Sequence, residues 1–252
     1  MKCTWLLALT FLALLEGCET TKEITIEAST GGTMVTTTDL SGLIGMAKMS
    51  GKSEEMEKMG EQKIDTTLSL AKYADSLEGM TAEEKALISS GKIHFQMDMA
   101  AEKFLFRVEL PFSTPDQIGR LDKLSSTMMS AAMKKIIAKS AGGETELPGG
   151  KDLPGSSLDA YFDMTYSASL IEKKLNKVKY ATVADDQGMA ALKEMSGSGL
   201  GSSTLIINLP RPAVKAEGKN LTLSEDRKKV TITGGMEDFF DDATALEFRV
   251  EY

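Results

Sequence analysis

The sequence predicts an α+β fold: antiparallel sheet or sheets with helices packed on one face. Three observations predict it. Several short segments alternate apolar and polar residues with a period of two, most clearly KIHFQMDM and KFLFRVEL. Other segments place apolar residues at helical spacing, the longest over 116–139. A buried parallel sheet would need strands that read as solid apolar runs, and only Leu205-Ile206-Ile207 comes near that.

The elements follow in chain order. EITIEA (23–28) alternates and reads as a strand. Thr30-Gly31-Gly32 is a turn, and TMVTTTDL (33–40) is a second strand rich in β-branched residues. Asp39 or Ser41 caps a helical stretch over 42–59 that carries Met46, Met49, Met56 and Met59, with a break at Gly51. IDTTLSL (64–70) is a third strand. In MTAEEKALISSGK, Thr81 and Glu84 have the spacing of a capping box and Gly91 follows the last turn. The hairpin comes next, turning at Ala100-Ala101-Glu102 and ending at Pro111 and Pro115. Asp116 opens the long helix, whose stripe is Ile118, Leu121, Leu124, Met128, Met129, Met133, Ile136 and Ile137.

After the long helix, SAGGETELPGGKDLPGSS (140–157) reads as a Gly/Pro-rich loop. Residues 158–175 fit either a helix or a strand passing into irregular chain. Residues 184–196 read as a helix and 203–210 as a strand ending at Pro210. NLTLS (220–224) and KKVTITG (228–234) form a hairpin, Met236–Asp242 a helical turn, and ATALEFRVEY (243–252) the last strand. The expected organisation is a first α+β part over 23–139 and a second over 158–252, separate or continuous with the first.

Composition excludes several classes. The chain has 252 residues and a net charge of −8, which disfavours nucleic acid because phosphate binding needs a clustered basic face. Both cysteines, Cys3 and Cys18, lie at the start, so no disulfide or thiolate metal site is expected in the body. His94 is the single histidine, and by alternation it lies on the polar face of its strand, which reads as a solvated residue rather than a catalytic one. No phosphate-loop, dinucleotide-binding, nucleophile-elbow or HExxH motif occurs, and no cofactor is expected. Glu237, Asp238, Asp241 and Asp242 are candidate oxygen ligands for calcium, but they lack a D-x-D-x-D-G loop. An acidic cap on a short helix explains them as well, and explains Asp185-Asp186. The sixteen methionines suit either core filling or an adaptable apolar groove.

The chain starts with Met1-Lys2 and then the apolar run WLLALTFLALL, Trp5 to Leu15. Eleven residues are too few to span a bilayer and fit the h-region of a secretory signal. Leu15-Glu16-Gly17-Cys18 resembles the lipobox of bacterial lipoproteins, with an aliphatic residue, a small residue and then cysteine. Glu16 departs from that pattern, where a small or apolar residue is usual. The resemblance implies cleavage after residue 17, acylation of Cys18 and a short tether over 18–22. Lys22-Glu23 is one lysine–acidic pair, a poor match to a surface-export signal, so the expected place is the outer membrane, facing the periplasm.

The body resembles envelope lipoproteins of Bacteroidota in TTDLSGLIGM, MTAEEKALISSGKIHFQMDM, VELPF and INLPRPAVKAEGKNLTLSEDRKKVTI. The closing segment is similar to LppM-type lipoproteins, in which a strand ending in Leu-Pro precedes a hairpin. The resemblance implies location and carries over no functional residue except Cys18. The expectation is a non-enzymatic binding or assembly module, with a lipid or an envelope protein as partner. The alternative is a hydrolase or carbohydrate-active enzyme that uses carboxylates.

Overall fold

The computed structural model describes residues 19–42, 63–72, 74, 80–98, 100–141, 158–196 and 201–252, with the backbone alone for 130–141 and for 187, 188, 191, 194 and 195. Cys18, the methionine-bearing stretch 43–62 and most of the 140–157 loop lie outside the described residues.

The fold is α+β, built on two sheets. The first contains β1 (Glu19–Ile26), β2 (Gly32–Asp39), β3 (Lys63–Ser69), β4 (Lys92–Asp98) and β5 (Lys103–Phe112). Helix α1 (Ala82–Ile88) lies between β3 and β4 in sequence, and α2 (Ile118–Ala141) follows β5 through a 3-10 turn at Pro115–Gln117. Next come β6 (Phe162–Tyr166), β7 (Leu170–Leu175), the single turn α3 (Lys177–Tyr180), α4 (Gln187–Ser196) and β8 (Ser202–Asn208). Strands β9 (Lys215–Gly218), β10 (Leu221–Leu223) and β11 (Lys229–Gly235), then α5 (Met236–Asp242) and β12 (Phe248–Glu251), complete the chain.

The eight-stranded sheet has the order β10-β11-β8-β1-β2-β5-β4-β3, and the four-stranded sheet the order β6-β7-β12-β9. The large sheet therefore draws strands from both sequence parts. Pairing is antiparallel throughout except between β1 and β8, which run parallel with Ile24 opposite Ile207. That strand holds the Leu205-Ile206-Ile207 run, the one place where the sequence has the texture of a parallel strand.

One face of the large sheet buries Ile24, Met34, Val108, Leu110, Ile207 and Val230 against Ile118, Leu121, Leu124 and Met128 of α2 and Ile171, Phe248 and Val250 of the small sheet. A second apolar cluster gathers Phe162 and Leu175 with Met189, Leu192, Met236, Phe239 and Leu246. Local signals fix the edges of these elements. The Thr81–Glu84 capping box is formed, with the Glu84 N–H donating to Thr81 Oγ1 at 3.2 Å and the Thr81 N–H to Glu84 Oε2 at 2.9 Å. Gly91 lets the chain pass close to β5, since a Cβ there would lie 2.6 Å from Leu110 Cδ2 and 2.9 Å from the Glu109 carbonyl oxygen.

Three expectations are corrected. β1 starts at Glu19 rather than residue 23, so 19–22 are part of the sheet and not a tether. Strand β5 runs through Pro111 to Phe112. Proline is tolerated there because β4 ends opposite Glu109, leaving Pro111 a neighbour only on β2, where it faces Thr33. Residues 158–175 form the β6–β7 hairpin after a 3-10 turn at Leu158–Tyr161. Its turn is closed by Ser167, whose hydroxyl accepts from the Leu170 N–H at 3.1 Å. Sequence periodicity did not mark the four-residue strand β9, which is too short to show one.

Candidate functional site

Two lysines occupy rows of side chains that face the interior. On β1 the row is Thr20, Lys22, Ile24 and Ile26; on β7 it is Ile171, Lys173 and Leu175. A lysine in such a row needs a partner, because an uncompensated charge away from water is costly. Lys22 Nζ lies 2.7 Å from Asp122 Oδ1 and 2.8 Å from Oδ2, so the first turns of α2 bring both carboxylate oxygens onto it. Its other partner is Asp159 Oδ2 at 3.4 Å, from the 3-10 turn before β6. Lys173 Nζ meets Asp159 Oδ1 at 2.5 Å and lies 4.3 Å from the centroid of the Phe162 ring.

The four side chains form a chain of alternating charge, Asp122–Lys22–Asp159–Lys173, that links the large sheet, α2 and the small sheet. Its charges balance. The side chains of Lys22, Asp122 and Lys173 are 18%, 20% and 15% exposed, while Asp159 is 39% exposed. Burial works against the Lys22 ammonium, but Asp122 and Asp159 outweigh it and hold its pKa above the ordinary lysine value. Burial likewise disfavours the Asp159 charge, and Lys173 and Lys22 overcome it, holding the carboxyl well below the usual range. Tyr166 of β6 borders the group, and burial, with the nearby Asp122 carboxylate, pushes its phenol up. The arrangement thus keeps Asp159 ionised, Lys22 protonated and Tyr166 neutral over the physiological range. It is suited to holding layers together rather than to moving a proton.

A polar strip extends from this cluster toward the Glu19 end of the sheet. Thr38 and Thr36 on β2 and Ser125 on α2 are buried, and Thr38 Oγ1 donates to Met129 Sδ at 3.5 Å. Thr36 Oγ1 and Ser125 Oγ have no hydrogen-bond partner among the described residues. At the opposite end of the sheet a cavity of about 190 Å3 opens beside Ile26, Pro115, Arg211 and Tyr252. Arg211 Nη2 donates to the Tyr252 carbonyl oxygen at 2.9 Å there. This cavity is smaller than the roughly 300–1,000 Å3 of ordinary small-molecule sites.

The residues singled out in the sequence are dispersed. Asp238 accepts from the Gly235 N–H and from Asn220 Nδ2, both at 3.1 Å, and Asp242 accepts from Thr244 and from Lys219 Nζ at 3.2 Å. Glu237 and Asp241 are exposed. The acidic run therefore caps two successive turns, and among the described residues no group of three or more His, Cys, Asp or Glu is placed to hold a metal ion. Asp186 Oδ1 accepts from the Met189 N–H at 3.2 Å and so caps α4. His94 is part-buried on β4, with Thr67 Oγ1 at 2.9 Å from Nδ1 and Asp65 Oδ1 at 3.5 Å from Nε2. Met128 is buried and Met129 packs against the same core, so these two fill space between helix and sheet.

Sequence reading missed the charged cluster. The available signal was a lysine in phase with an apolar row, as in Thr20-Lys22-Ile24 and Ile171-Lys173-Leu175. No family model, no curated protein and no solved structure matches this chain.

Proposed function

We propose that the protein is an envelope lipoprotein, acylated at Cys18 and held at the outer membrane facing the periplasm, that acts as a non-enzymatic binding or assembly module for another envelope protein. The observation that carries the reading is the position of Cys18. It follows an eleven-residue apolar run and Leu15-Glu16-Gly17, and it immediately precedes Glu19, the first residue of β1. Cleavage before Cys18 would leave a chain in which the fold begins one residue after the anchor. Several acyl chains on one residue give stable attachment where a single chain is marginal. Among the described residues no helix is long and apolar enough to cross a membrane.

Two features support a binding role over a catalytic one. Asp122 and Asp159 are near one another through Lys22, but both are ion-paired, and Asp159 is held ionised. A glycosidase-type pair needs one carboxyl raised toward neutrality to donate a proton. The cavity beside Arg211, at about 190 Å3 smaller than an ordinary small-molecule site, supports a protein partner over an enclosed apolar ligand. Affinity purification of the acylated protein from its native envelope, followed by mass spectrometry of proteins and lipids, tests this. A reproducible envelope protein partner is expected. Recovery of the protein alone would contradict the binding role.

A further inference from the structure

We propose that the cavity beside Arg211 binds a free α-amino acid with a small side chain, taking its carboxylate at Arg211 and its ammonium at Glu27. This occupant is distinct from the envelope protein partner, and its site needs no anchor at Cys18.

The cavity lies where strands of both sheets end. The β1–β2 turn supplies Glu27 and Thr30, the segment after β8 supplies Arg211, the β6–β7 turn supplies Ala168, and Tyr252 follows β12. The β1–β2 turn is closed by the Glu27 N–H on the Gly31 carbonyl at 2.8 Å and the Thr30 N–H on the Glu27 carbonyl at 2.9 Å. Thr30 holds φ at 72°, in the left-handed region that a β-branched residue rarely adopts. Such backbone persists where its surroundings impose it, and it gathers at ligand sites.

Arg211 is set in place by carbonyls rather than by an acid. It stands between Pro210 and Pro212, and its Nη2 donates to the Tyr252 carbonyl at 2.9 Å and to the Ala168 carbonyl at 3.4 Å. Its guanidinium carbon is 5.8 Å from the centroid of the Tyr252 ring, whose hydroxyl donates to the Ser167 carbonyl at 2.8 Å. Arg211 Nε and Nη1 have no partner among the described residues. A guanidinium carries five N–H donors in a fixed fork that matches a carboxylate. Glu27 borders the same cavity, and its carboxylate has no hydrogen bond or ion pair among the described residues.

An acid and a base thus line one cavity without pairing to each other. A carboxylate ligand alone would sit beside the like charge of Glu27, and a cation alone beside that of Arg211. An α-amino acid carries both charges within one small unit and satisfies both residues. Size selects a small one. At roughly 30 Å3 for each water-sized group, about 190 Å3 leaves room for about six, the number of non-hydrogen atoms in alanine. Ile26 and Pro115 offer an apolar wall for a short side chain.

Calorimetric titration of the full chain in detergent with glycine, alanine and serine is the test, with acetate and methylamine as probes of each half alone. At least one of the amino acids should bind one to one, with a dissociation constant between about 1 μM and 1 mM, the range open to a ligand of this size. Acetate and methylamine should each bind at least about ten-fold more weakly, having lost one charge-assisted contact. Glu27→Gln removes an exposed side chain with no bond to lose, so its melting temperature should be that of the parent. It should weaken amino-acid binding by about ten-fold or more without weakening acetate. Arg211→Gln should abolish binding of both. Should the loss of the Tyr252 contact unfold that variant, Glu27→Gln alone decides. No heat with any of the three amino acids, acetate binding as tightly as they do, or unchanged binding by Glu27→Gln overturns the proposal.

Discussion

Lys22 and Asp122 are one hundred residues apart in sequence and 2.7 Å apart in the structure, where they join β1 to α2 at the edge of the core. Each has lost most of its water. Removing one partner leaves the other charge in a poorly solvated place, which costs more than the pair contributes. Lys22→Met should therefore lower unfolding free energy by about 2 kcal/mol, and adding Asp122→Leu should recover most of the loss. Urea denaturation of the two variants checks this. Strictly additive losses would show that the side chains do not act together.

The same cluster sets a pH dependence with two limbs. Asp159 has a lowered pKa in the fold, so its contribution is present above the unfolded value of about 4 and is lost as pH falls through and below it. Lys22 has a raised pKa, so its contribution is complete below the ordinary value of 10.5 and is lost as pH rises past it. Tyr166, also raised, acts in the same direction from about pH 10 upward. Thermal melts across pH should show a broad maximum between these limits. Asp159→Asn, though less stable at neutral pH, should show a shallower fall on the acid side. An acid limb of unchanged slope would remove Asp159 from this account.

Ser125 Oγ is buried without a hydrogen-bond partner among the described residues. An unmet hydroxyl costs about 1 kcal/mol or more. Ser125→Ala should raise stability by about 1 kcal/mol in denaturant titrations. A loss of that size would mean that the hydroxyl has a partner.

Gly91 has the opposite sensitivity. A methyl group there would meet Leu110, the Glu109 carbonyl and Leu70, all within 3 Å. Gly91→Ala should cost about 1–3 kcal/mol through forced movement of β5. A melting temperature equal to that of the parent would show that the crossing is looser than described.

Period-two alternation and capping residues made most of the fold legible. The β4–β5 hairpin, the Thr81 capping box and the buried stripe of α2 from Ile118 to Met128 follow directly from residue spacing, while Met133, Ile136 and Ile137 of the expected stripe lie outside the described side chains. Topology was less accessible. Strand β8 pairs in parallel with β1, across most of the chain, and although its Leu205-Ile206-Ile207 run has the texture of a parallel strand, no local pattern names β1 as its partner. The β6–β7 hairpin was hidden because Lys173 and Lys174 interrupt its alternation. That interruption is itself the signal of the charged cluster, since Lys173 faces inward to Asp159. In the same way Lys22 reads as half of a sorting signal when taken with Glu23, whereas the fold makes it an interior residue of β1. The acidic run at 237–242 carried little information about a ligand because carboxylates at turn starts are also the ordinary capping groups.

Acylation of Cys18 is what would hold the protein at the membrane. Metabolic labelling with a radioactive fatty acid, in cells making the parent or Cys18→Ser, measures it directly. The parent should take up label, fractionate with membranes and begin at residue 18. Cys18→Ser should take up none and appear as an uncleaved precursor or in the soluble fraction. Unlabelled parent protein, or a variant with unchanged processing and membrane retention, would contradict the lipid anchor.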